Sequence, residues 1–97
     1  MNILDYIPNG KDNAISRSRL CQMTGLSDRD VRSYISNARL ETVILNNSDG
    51  SGYYRPLLTE KEEVRKYINQ ELKRIKSIAI GLYVTRSFYE DLEHERL

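Results

Sequence analysis

The period of the apolar positions changes along the chain, and each change predicts an element. Ile3, Leu4 and Ile7 lie behind Asn2, a good helix cap, and ahead of Pro8, so a short first helix over 2–7 is predicted. Asn9, Gly10, Lys11, Asp12 and Asn13 make a polar turn, and Ala14 and Ile15 then run extended for two or three residues. Ser16 caps a helix whose apolar contacts are Leu20 and Met23, and Gly25 supplies the left-handed residue that ends it after Thr24. Ser27 caps the next helix, predicted over 28–40, with Asp30 as a shortened capping box. Val31, Ile35 and Ala38, with Tyr34 beside them, form its apolar stripe.

Beyond that helix the pattern turns to strand. Thr42, Val43, Ile44 and Leu45 are β-branched or apolar and too few for a helix. Residues 46–52, Asn-Asn-Ser-Asp-Gly-Ser-Gly, carry a dense turn signal, and Tyr53, Tyr54 and Arg55 resume an extended pattern closed by Pro56. A β-hairpin is expected here, with Tyr53 and Tyr54 on opposite faces, one packed and one available. Thr59 as cap with Glu62 as capping-box partner opens a long helix. Its apolar positions Val64, Ile68, Leu72, Ile75, Ala79 and Leu82 are spaced four, four, three, four and three, a heptad-like seam. Gly81 weakens the helix, so either a flexible continuation or a break is expected before a second helical piece from Ser87 to Glu95.

Length allows one modest core, since 97 residues bury about two-thirds of their unfolded surface. No apolar run approaches the roughly 20 residues that span a bilayer, and no basic-then-apolar leader is visible, so no membrane partner is expected. A single cysteine permits no intramolecular disulfide and points to the reducing cytoplasm. A net charge of +1 argues against indiscriminate coating of nucleic acid. The distribution is more telling than the sum. Arg17, Arg19, Arg29, Arg32 and Arg39 gather in the two-helix stretch against Asp28 and Asp30. Arg65, Lys66, Lys73, Arg74, Lys76 and Arg86 face only Glu71, and Glu90, Asp91, Glu93 and Glu95 collect at the end.

The chemistry-bearing residues are few. Cys21 has no histidine beside it and reads as a small packed residue. His94 with Glu90 reads as solvated surface, and no phosphate loop, paired-cysteine motif or triad is present. Neither an enzyme nor a cofactor nor a metal is expected.

A small Cys21, Gly25 four residues later, apolar Leu26, then Val31 and Tyr34 resemble the helix-turn-helix of DNA-binding proteins. With the hairpin that follows, residues 2–58 resemble the winged helix-turn-helix proteins of the small bacterial and phage type, in which a Thr-Gly-Leu-Ser turn and a Gly-Tyr-Tyr wing strand often occur together. The resemblance implies a mainly α fold with a small β-hairpin. A winged domain over 1–58 would precede a long C-terminal helical segment over 59–97 that serves oligomerisation or docking.

On that reading helix 28–40 enters the major groove of double-stranded DNA, with Arg29, Arg32, Ser33 and Ser36 toward base edges and phosphates. Arg17 and Arg19 stand at a helix N-terminus suited to a phosphate, and Asn47, Ser48 and Arg55 belong to the wing. Ile68, Leu72, Ile75, Ala79 and Leu82 would join two copies into a homodimer. Transcriptional regulation is the leading expectation. A phage replication or origin-binding accessory, and a winged-helix scaffold that binds a protein partner instead of DNA, remain its alternatives.

Overall fold

Side chains that cap their own backbone set the boundaries of the first elements in the computed structural model, which describes residues 1–95. The last two positions of the expected 59–97 segment, Arg96 and Leu97, lie outside the described residues. Asn2 accepts the Leu4 N–H at 3.0 Å and opens one 3-10 turn, Ile3–Tyr6, in place of the predicted helix. Between a cap at 2 and a proline at 8 there is no room for a second turn. Ser16 Oγ accepts the Arg19 N–H at 3.1 Å at the head of α1, Arg17–Thr24. Gly25 ends α1 at φ 74°, and Ser27 Oγ accepts the Asp30 N–H at 3.1 Å at the head of α2, Asp28–Ala38. Between them Thr24 Oγ1 donates to the Leu20 carbonyl and accepts from the Leu26 N–H, which pins the turn.

The core forms where α1, α2 and the first 3-10 turn pack on one another. Leu20, Val31 and Ile35 are sealed from solvent with Ile3, Ile7, Ile44 and Tyr53 around them, and Cys21, Leu26 and Ala38 border the cluster. Full burial contributes about 2 kcal/mol for a side chain the size of Leu20. Two expected contacts are absent from it. Tyr34 is 40% exposed and Met23 is 47% exposed, because Ile35 and Leu20 already fill the space between the helices. The second helix also stops at Ala38, short of position 40. Arg39 Nε donates to the Ile44 carbonyl at 3.0 Å, and its guanidinium lies over the rings of Tyr53 and Tyr67. This turns the chain back and leaves Leu40 in solvent.

The expected hairpin is reduced to isolated bridges. Leu45 and Tyr54 exchange backbone hydrogen bonds of 2.9 and 3.1 Å, Ile15 and Tyr53 exchange bonds of 2.9 and 2.7 Å, and Asn9 pairs with Arg55. No longer ladder forms among the described residues. Alternation fails because Ile44 and Leu45, neighbours in sequence, are both buried. Tyr53 and Tyr54 are likewise both buried, so neither is the available ring that a solvated strand would offer.

A polar clasp holds this region to the start of α3, Lys61–Glu95. Lys11 Nζ meets Asp49 at 2.9 Å and Glu63 at 3.3 Å, and the Lys11 N–H donates to Glu60 at 2.9 Å. Glu60 also accepts the Leu57 N–H at 2.7 Å, while its carbonyl accepts from the Val64 N–H. The cap therefore falls at Glu60 rather than Thr59, and Glu62 pairs with Arg65 instead of reaching back. These bonds depress the carboxyls of Asp49, through Lys11 and Ser51, and of Glu60, through the backbone of Leu57 and Lys11. The folded state then binds fewer protons than the unfolded chain as pH falls through the ordinary values of 4.5 and 3.8, so stability declines over that range and below. A urea titration at pH 3 against pH 6 is expected to show a lower midpoint, and Asp49→Asn a flatter dependence.

α3 runs unbroken through Gly81, where a glycine costs only about 1 kcal/mol in a helix of 35 residues. Two compact units result, Met1–Tyr67 and the helix from Ile68 onward. The first turns of α3 thus belong with the N-terminal unit. No helix among the described residues is long and apolar enough to cross a membrane.

Candidate nucleic-acid interface

The stripe that anchors α2 dictates what its other side presents. Val31 and Ile35 are buried, and Arg29, Arg32, Ser33 and Ser36, at i, i+3, i+4 and i+7, are all exposed on the opposite face. Asn37, four residues after Ser33, is also exposed and lengthens this polar face, a position that the same spacing rule reaches. Guanidinium, hydroxyl and amide groups side by side suit both phosphates and base edges.

Asp28 divides the cations into two kinds. Its carboxylate accepts from Arg17 Nε on α1 and from Arg32 Nη2 at 3.1 Å, tying the heads of the two helices. Hydrogen bonding with the Tyr53 hydroxyl and then with Asp28 raises the Arg17 pKa further above its already high value. Arg19 and Arg29 make no ion pair among the described residues. Exposed pairs such as Arg32 with Asp28 contribute about 1 kcal/mol or less, whereas a good bidentate base contact is worth about 1–3 kcal/mol. The pair is therefore weak enough to exchange for a nucleic-acid contact. Arg39, counted with this cluster in the sequence, is committed to Ile44 and the two tyrosine rings and is no part of the exposed face.

The expected wing residues separate. Ser48 is exposed at the loop tip and Arg55 is half-buried, its backbone bonded to Pro8 and Gly10. Asn47 corrects the expectation. It is 6% exposed and its amide donates to the Glu63 carboxylate at 3.0 Å, so it fastens the loop to α3 and cannot reach a groove. Composition alone did not separate it from Ser48, because the partner that turns it inward lies sixteen residues on.

The positions expected to join two copies, Ile68, Leu72, Ile75, Ala79 and Leu82, are all exposed along α3. Cys21 is a free, half-buried thiol against the core, and no group of three or more metal-ligating side chains stands together among the described residues. Comparison of the chain with family models, with characterised proteins and with solved structures gives no match, so the geometry of this face carries the functional reading.

Proposed function

We propose that this chain is a DNA-binding protein of winged helix-turn-helix type that regulates transcription, with α2 in the major groove and α3 joining two copies. The observation that carries the reading is the exposed set Arg29, Arg32, Ser33 and Ser36 opposite the buried Val31 and Ile35. α1 supports that reading by crossing α2 at a tight turn with Leu20 against it, the arrangement that lets a second helix stand clear of its domain. The bridged segment from Leu45 to Tyr54 serves as a minimal wing, with Ser48 toward the backbone. Arg19 adds a phosphate contact at the head of α1.

One observation favours a second reading. Asp28 sits between Arg17 and Arg32 and lowers the positive potential of the face, which weakens its attraction to a phosphate backbone and suits a protein partner that pairs with carboxylate and guanidinium groups together. A duplex titration across salt separates the two. Binding through four to six phosphates is expected to give log K against log salt a slope of about −4 to −5. A random duplex pool is expected to yield a palindromic consensus, as two copies require. Absence of duplex binding at about 50 mM salt would reject the nucleic-acid reading and leave the protein-docking one.

A further inference from the structure

The apolar surface of α3 is uncovered and arranged in sevens. Ile68, Ile75, Leu82 and Tyr89 recur every seven residues and are 51% to 64% exposed. Such a row drifts by only about 20° per heptad on a straight helix, so it stays on one side. A paired seam needs a second column beside it. One flank offers a column that contains Glu71, and the other a column that contains Arg86 and Glu93.

Direction decides whether these charges are tolerated. In a parallel pair every seam residue meets its own copy, so one flank opposes Glu71 to Glu71, and the other opposes Arg86 to Arg86 and Glu93 to Glu93. Like charges brought together and partly desolvated oppose association. With the second helix reversed, only residues level with the crossing point meet their own copy, and all of these encounters disappear. The net charge along the helix favours the same direction. Residues 65–76 hold five cations and one carboxylate, residues 90–95 hold four carboxylates, and residues 77–85 between them hold no charge. Reversal about position 80 sets residues 65–70 of each helix, with Arg65 and Lys66, against the acidic stretch 90–95 of the other, and leaves Arg74 level with Arg86 as its one like-charge encounter. Parallel alignment stacks every charge on its own copy.

We propose that the uncovered face of α3 binds α3 of a second copy in antiparallel direction, crossing level with Ile80, one residue before the centre of the charge-free stretch. Ile68 then packs with Leu92 of the other copy, and Ile78 with its Leu82. The proposal rests on the reading that α3 joins two copies and adds the direction in which it does so.

Sedimentation of the full chain, followed by spin labels on a Cys21→Ala background, tests it. At a rise of about 1.5 Å per residue, labels at Asn69→Cys are expected about 33 Å apart along the pair, and labels at Glu90→Cys about 30 Å apart. In a parallel pair, with axes about 10 Å apart, both distances would fall within roughly 20 Å. A mass of two 11.3 kDa chains with the two long distances supports the proposal. Short distances in a dimer overturn it, and so does a monomer, which leaves the face to a different protein. Duplex binding measured on the same samples keeps the two readings apart. Short label distances with DNA bound defeat only the direction, and long distances without DNA binding defeat only the nucleic-acid reading.

Discussion

Replacing Arg29 and Arg32 together by alanine is expected to weaken duplex binding on the order of a hundredfold near 0.1 M salt, and to make the salt slope shallower by about two. Each guanidinium is asked to supply about 1–2 kcal/mol, which is within the range of one phosphate or base contact. Both side chains are exposed and only the Arg32 pair with Asp28 is lost, so the fold should change by no more than about 1 kcal/mol, and a helical circular-dichroism signal unchanged at the assay temperature would show that binding alone was lost. Asp28→Asn should act in the opposite direction. It removes the carboxylate that occupies Arg17 and Arg32 and raises the positive potential of the face, so affinity should rise severalfold with a steeper salt slope. Unchanged affinity in both variants would rule out α2 as the reading element.

Gly52→Ala is expected to cost about 3 kcal/mol or more, the largest effect of a methyl group added at any of the five glycines. Gly52 has φ 98°, and a Cβ there would lie 2.5 Å from the Ile15 carbonyl oxygen, inside the bridge that holds Tyr53 to the start of α1. The clash is with backbone and cannot be relieved by a rotamer. Gly50, with φ 81° and no atom within 4 Å of the added carbon, is the matched control. Gly50→Ala should cost only the left-handed penalty of about 1–2 kcal/mol. Urea unfolding of the two variants measures the difference, and equal losses would contradict a tight Ile15 to Tyr53 bridge.

The contrast between these two glycines shows where sequence reading stops. Both belong to one polar turn and look alike in composition, and only the approach of Ile15, thirty-seven residues earlier, distinguishes them. Asn47 and Ser48 differ for the same reason, since Glu63 captures the first and leaves the second at the surface. Ile35 was legible as part of the buried stripe, yet whether Tyr34 beside it also entered the core depended on how α1 crossed α2. The heads of α1 and α2 were legible because their determinants are local. Ser16, Gly25 and Ser27 satisfy backbone groups within a few residues of themselves.

Local capping and the period of the apolar residues thus determined from sequence that the chain is mainly helical, where α1 and α2 begin, and which face of α2 turns outward. Tertiary structure alone decided that the 42–55 region closes through isolated bridges and not a ladder, that Asn47 and both tyrosines turn inward, and that α3 opens at Glu60 under a clasp from Lys11. Caps and periods act over a few residues along the chain, whereas a bridge or a buried polar contact exists only when distant segments meet.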